Sequence, residues 1–225
     1  TLGEKIFYAV KATREAVSCN TNLGIILLCA PLIQAIYNKQ SAFTLRQSLS
    51  EVLTNTTVQD AEWVFKAIML ASPGGLGSSD EQDVTEEPSV NLTEAMRLAS
   101  VKDRIALQYI TDYQDIFDFA VLVYYNGLNR FGIEKWAAVF VYASLLSQYP
   151  DSHIERKYGS QYTEFISSRM SLLSNQLSEI VNPEDSLLLL FSIDKAFKAK
   201  ALNPGTMADI TVATVLAVLL EDVIK

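Results

Sequence analysis

The sequence predicts an all-α fold: a single compact domain of roughly nine to eleven helices across residues 1–225. Three observations lead there. Apolar residues recur at three- and four-residue spacing in one segment after another. Several of those segments open on a Ser, Thr or Asn with an acid or amide three positions on, the signature of a helix cap. No convincing strand interrupts them, and no repeat of fixed period marks a solenoid.

Taken in order, Ile6, Val10, Ala12, Ala16 and Val17 give a first helical stripe over residues 2–17. Asn20-Thr21-Asn22 then meets Gly24 and an apolar run to residue 37, a helix without a face to show to water. Pro31 lies inside that run, so a kink or break is expected there. Thr44 with Gln47 and Thr57 with Asp60 read as capping boxes, the second opening a helix that carries Trp63, Val64, Ile68 and Met69. Residues 72–88 form the one long irregular segment, rich in Gly and acids. Asn91 with Glu94, Asp103, and Thr111 with Gln114 read as further helix starts. Apolar helices follow over residues 132–149, 161–181 and 210–224, with Asn182-Pro183 opening another by a cap and a proline at its first position. Residues 150–159 read as a polar, charged junction between two of them.

Composition excludes several classes of protein. Apolar residues make up 49% and charged residues 20%, so the chain can bury a full core. Its net charge of −8 and lack of a Lys/Arg cluster argue against nucleic acid as a partner. A small nucleotide remains compatible, because it needs only a local site. Cys19, Cys29 and His153 are too few for a disulfide framework or a zinc site. The apolar runs fall short of a membrane span and no signal peptide is visible, so a cytoplasmic protein is expected. The first residue is Thr1, just ahead of a helix, so an upstream segment of the native chain is expected to be missing.

Four polar junctions break the apolar pattern: residues 20–24, 73–83, 151–159 and 203–209. Glycines there permit close approach, first-turn amides accept phosphate oxygens, and carboxylates hold Mg²⁺. Their order and content resemble the triphosphoribosyl-dephospho-coenzyme A synthase family. Asn20-Thr21-Asn22-Leu23-Gly24-Ile25-Ile26 is similar to that family's Asn-Thr-His-Lys/Arg-Gly-Ala-Ile motif. Gly74-Gly75-Leu76-Gly77 followed by acids resembles its glycine-and-glutamate loop, and Asp151-Ser152-His153-Ile154 with Arg156 its Asp-Thr-Asn with a following Arg. The most specific match is Leu202-Asn203-Pro204-Gly205-Thr206-Met207-Ala208-Asp209, against Leu-Ser-Pro-Gly-Gly-Ser-Ala-Asp. Two features depart from the pattern. Asn22 and Leu23 replace a His and a cation, and the family's upstream Lys-Pro-Gly segment has no counterpart.

The resemblance implies an all-helical transferase that joins the ribosyl carbon of ATP to dephospho-coenzyme A, releases adenine and keeps the triphosphate. Such chemistry passes through a cation-like sugar and gains from carboxylates, with Mg²⁺ offsetting the triphosphate charge. The expected catalytic carboxylates are Asp83, Asp151 and Asp209, and Asp80, Glu81 and Asp83 are the expected metal ligands. Asn20, Thr21, Asn22, Gly24, Gly74, Gly75, Arg156, Lys157, Gly205 and Thr206 are the expected nucleotide contacts. ATP and dephospho-coenzyme A are then the small-molecule partners; a homodimer stays open. Structural roles stand beside these: Asp209 as a helix cap, Arg156 and Lys157 as a solvated helix end, His153 as a packed histidine. The exchange of cation for Leu23 favours a related transferase with another acceptor, and a non-catalytic helical scaffold is the third reading. Convergence of Asp83, Asp151 and Asp209 on one cleft separates the enzymes from the scaffold.

Overall fold

A computed structural model of the chain describes residues 1–19, 22–38, 43–71, 84 and 86–224. Among them are twelve α-helices and no strand, as the all-α reading requires. The chain divides into two compact units, Thr1–Gln114 with Leu216–Lys225, and Asp115–Val215.

The first unit holds α1 (Leu2–Val17), α2 (Leu23–Asn38), α3 (Leu45–Thr54), α4 (Val58–Ala71), α5 (Leu92–Ala99) and α6 (Arg104–Ile110). Its starts follow local chemistry. The Thr44 hydroxyl accepts from the Gln47 amide at 3.2 Å while Gln47 reaches back to the Thr44 N–H at 2.9 Å. Thr57 and Asp60 repeat the exchange at 3.2 and 2.9 Å, and Asn91 and Asp103 cap α5 and α6. Asp60 does more: its other oxygen accepts the Gly3 N–H at 2.8 Å, tying the first turn of α1 to the first turn of α4. Burial opposes ionisation of Asp60, but its hydrogen bonds to Gly3, Thr57 and Thr1 outweigh it and hold the carboxyl below its usual range. A Cβ on Gly3 would lie 2.7 Å from Asp60 Cα, so the two helices meet only because residue 3 lacks one. Phe7 then meets Trp63 at 5.1 Å between ring centroids. Contacts that advance together along both chains mean that α1 and α4 run parallel.

Pro31 does not break α2, which continues to Asn38. A proline has no N–H to give the carbonyl four residues back, and its ring crowds that carbonyl. Here the carbonyl is that of Leu27, and the Tyr109 hydroxyl donates to it at 2.6 Å. The Tyr113 hydroxyl donates to the next carbonyl, Leu28, at 3.1 Å. Burial pushes both phenols far above their usual range, so they remain donors at any working pH. Just before the π-helix that follows, Asp112 and Tyr113 both take left-handed backbone angles, φ 49° and 57°. Thr111 does not cap a helix as expected; its hydroxyl instead donates back to Leu107 O at 2.9 Å.

The second unit opens with a π-helix, Asp115–Ala120, followed by α7 (Val121–Phe131), α8 (Glu134–Gln148), α9 (Ser152–Tyr158) and a 3₁₀ turn, Gly159–Tyr162. Then come α10 (Thr163–Glu179), a second 3₁₀ turn (Pro183–Ser186), α11 (Leu187–Lys198) and α12 (Gly205–Val223), of which the part from Leu216 on belongs to the first unit. The α8 helix packs between α7 and α10. Gly127 of α7 lets the backbone of Ala137 approach so closely that a Cβ would sit 2.9 Å away. On the other side the Ser144 and Ser174 hydroxyls pair at 2.9 Å. Among the described residues, no helix is long and apolar enough to cross a membrane.

Candidate functional site

Residues 150–159, read from sequence as a polar, charged junction, contain the short helix α9. Asp151 is its N-cap, and its Oδ1 accepts the Ile154 N–H at 3.1 Å. The other oxygen, Oδ2, accepts the Met207 N–H at 2.9 Å, in the first turn of α12. Thr206 answers in the opposite direction: its hydroxyl accepts the His153 N–H at 3.1 Å and pairs with the Ser152 hydroxyl at 3.0 Å. First-turn amides have no partner within their own helix. Here each helix supplies the acceptor for the other's amide, so α9 and α12 start as one interlocked unit.

Asp151, Ser152 and Thr206 are all buried, Asp151 at 3% exposure. Burial dominates the ionisation of Asp151 and pushes its carboxyl up to about 6. Hydrogen bonds from the Met207, Ile154 and His153 amides and the charge of Arg156 pull in the opposite direction and limit the rise. Tyr142 of α8 stands beside this junction, its hydroxyl 3.4 Å from Pro204 O. Burial, and then the negative charge of Asp151, raise the Tyr142 phenol well above its usual range.

The structure thus brings together Asp151, Gly205 and Thr206. Asp209 lies half-buried on α12, two residues past the amide that Asp151 holds. Gly205 leaves room for a methyl group, since a Cβ there would lie 3.7 Å from His153 Nδ1. Its neighbour is the imidazole, which packs against it. Arg156 and Lys157 form the last turn of α9, where cations complement the helix dipole; Lys157 is exposed. The first-turn amide of Met207 is taken by Asp151.

Asn22 and Gly24 belong to the first unit. Asn22 stands at the start of α2, where its carbonyl accepts the Ile26 N–H at 2.9 Å. Its side-chain amide donates to Thr13 of α1 at 3.1 Å. Gly24 is buried and Leu23 half-buried. Because α1 and α4 run parallel, they end side by side at Val17 and Ala71. A groove of about 370 Å³ runs between them, with Phe7, Met69 and Leu70 as apolar wall and Lys11, Arg14, Lys66 and Glu15 as charged rim, Glu15 lying 3.9 Å from Lys11. Asn20, Thr21, Gly74, Gly75, Asp80, Glu81 and Asp83 lie outside the described residues. The full three-carboxylate comparison therefore reduces to Asp151 and Asp209, which share the second unit.

Among the described residues, no group of three or more His, Cys, Asp or Glu side chains gathers as a metal site. Both oxygens of Asp151 already accept amide protons. The described side chains therefore do not form a dedicated Mg²⁺ cage.

Several participants escaped the sequence reading. Ser152 and Tyr142 are not among the site residues expected from the sequence. Ala201, just before the Leu202–Asp209 stretch, takes a left-handed φ of 53° and accepts the Tyr158 hydroxyl at 3.2 Å. Only the pairing of Asp151 with Gly159, eight residues apart around a helix-length segment, gave a readable signal for α9.

Comparison with known proteins agrees with the motif pattern. No curated protein is similar enough in sequence to count as a relative. A crystal structure from Archaeoglobus fulgidus, assigned as a triphosphoribosyl-dephospho-CoA synthase, has the same fold at a TM-score of 0.71 and 25% identity, over 97% of this chain and 89% of that one. The family described as CitG: ATP:dephospho-CoA triphosphoribosyl transferase matches residues 1–225. The chain belongs to this family and is a transferase of the triphosphoribosyl-dephospho-CoA synthase kind.

Proposed function

We propose that the chain moves the triphosphoribosyl group of ATP to dephospho-CoA and that the α9–α12 junction forms part of the reaction site. The bond from the ribosyl carbon to adenine breaks, a bond from that carbon to an acceptor hydroxyl forms, and the hydroxyl proton leaves with adenine. The observation that carries the placement is the interlock of Asp151 with Met207 and of Thr206 with Ser152 and His153. It joins the two most family-like segments of the second unit through buried polar groups, which a mere connector does not need.

Roles follow from the geometry. Asp151 is a positioning residue, because its oxygens are committed to amides. Asp209, half-buried and one short step along α12, is our assignment for the carboxylate that faces the cation-like sugar. Arg156 and Lys157 meet phosphate. Mg²⁺ enters with ATP as the magnesium complex of the substrate, which matches its habit of binding phosphates and waters with few protein ligands.

Adenine release from Mg·ATP, with and without dephospho-CoA and read by mass spectrometry, tests the reading. Adenine that appears only with dephospho-CoA and is lost in Asp209→Ala supports it. ATP binding without adenine release points to another acceptor, a reading favoured by Leu23 in place of the family's cation. Absence of both binding and release overturns the enzyme reading for this chain.

A further inference from the structure

Tyr158, Tyr162 and Phe165 form a continuous ledge of rings from the end of α9 into α10. Tyr158 stands edge-on to Tyr162 at 5.3 Å, Tyr162 to Phe165 at 6.3 Å, and Phe165 rests on buried Phe197 of α11 at 6.2 Å. Cations cover the ring faces. Lys157 lies 5.1 Å from the Tyr158 centroid, and Lys200 lies 5.8 and 5.3 Å from those of Tyr162 and Phe165. Arg169 is closest, 3.6 Å over Phe165.

Surface cation–π packing alone is a common explanation for such contacts. Two observations set this ledge apart. Among the described residues, no carboxylate pairs with Lys157, Lys200 or Arg169, although the chain carries a net charge of −8. The ledge is also fastened twice to the α9–α12 junction, both times through Tyr158. Tyr158 closes the helix that Asp151 opens, and its hydroxyl holds the carbonyl of Ala201, whose left-handed backbone leads into Leu202–Asp209. A non-glycine residue in that conformation costs free energy, which the surrounding contacts must offset.

We propose that this ledge binds the adenine and phosphates of an adenine nucleotide. The purine stacks on the face of Tyr162 and meets Tyr158, which stands perpendicular to that ring, edge to face, as bases use aromatic platforms in single-strand-binding proteins. Lys157 and Lys200 are exposed and flexible, so they swing off the rings to meet the phosphates, and each exchanges a ring face for an anion. Both substrates of the proposed transfer, ATP and dephospho-CoA, carry this chemistry; identification of the nucleotide rests on that reading, whereas the ledge itself does not.

Calorimetric titration of the whole chain with Mg·ATP and, separately, with dephospho-CoA tests the proposal in Tyr162→Ala, Tyr162→Phe and Lys200→Ala. The melting temperature of each variant guards against misfolding, and Lys200→Ala changes only an exposed side chain. The expected result is a roughly tenfold weaker Kd in Tyr162→Ala for one nucleotide, retention in Tyr162→Phe, and a smaller, salt-sensitive loss in Lys200→Ala. Which nucleotide weakens identifies the occupant. Unchanged Kd values for both nucleotides in folded Tyr162→Ala and Lys200→Ala overturn the proposal. Wild-type protein that binds a nucleotide through the ledge yet releases no adenine would sink the transfer reaction and leave the ledge standing. Failure of wild type to bind either nucleotide overturns both.

Discussion

Replacing Tyr109 by Phe removes one hydroxyl and leaves the Leu27 carbonyl, already deprived of its helical partner by Pro31, with no donor. The hydrogen bond is 2.6 Å long and Tyr109 is 1% exposed, so water does not substitute for it. A buried acceptor left unpaired costs about 1–3 kcal/mol. For a chain of this size that lowers Tm by roughly 4–8 °C at the middle of the range. A second change makes the argument sharper. Pro31→Ala restores an N–H at position 31, which then serves Leu27 through the ordinary helical bond. In that background Tyr109→Phe removes a redundant donor and costs less than about 1 kcal/mol. Urea unfolding of wild type, both single variants and the double variant measures the coupling, expected at about 1 kcal/mol or more. Equal cost of Tyr109→Phe in both backgrounds, within about 0.5 kcal/mol, would show that the proline leaves no orphan for tyrosine to satisfy.

Gly3→Ala places a methyl group against the Asp60 backbone, 2.7 Å from its Cα, and should cost about 1–3 kcal/mol in thermal or urea unfolding. Ala201→Gly relieves the left-handed backbone at φ 53° and should raise stability by about 1 kcal/mol, read as a Tm increase. Asp151 sets a pH dependence whose sign is opposite to that of a usual carboxylate. Its folded pKa of about 6 lies above the unfolded value of 3.8, so between pH 4 and 6 the native state holds a proton that the unfolded state lacks. This group's contribution therefore falls as pH rises through that window, by about 3 kcal/mol in all, and Asp151→Asn should abolish this component of the slope. Asp60, whose carboxyl is held low, acts in the usual direction: its stabilisation is lost as pH falls below its unfolded range, and Asp60→Asn should flatten the acid limb of a denaturation curve.

Much of the helix pattern was legible because its signals are local. Thr44 with Gln47, Thr57 with Asp60, Asn91 with Glu94 and Asp103 each cap within three residues of themselves, and the structure shows every one. Thr111 does not cap: its hydroxyl donates back to Leu107, and two residues on the Tyr113 hydroxyl donates to Leu28, a partner far back in the chain that no local pattern reveals. Helix α9 was hidden by its length, since seven mostly polar residues carry no apolar period. In the candidate site, the segments containing Asp151 and Asp209 stood out as polar junctions. Their connection did not, because Asp151 and Met207 are 56 residues apart and nothing in either neighbourhood names the other. Nor does the sequence show that both oxygens of Asp151 are engaged by amides.

That distant interlock bears on how the chain acquires its structure and how it opens. The His153 amide of α9 and the Met207 amide of α12 each find their acceptor only when the other segment arrives, so the two segments should order in the same step and after the local helices around them. The reverse holds for native-state opening. The amide protons of His153 and Met207 should exchange with solvent at one shared rate, as a single cooperative patch that spans residues far apart in the chain.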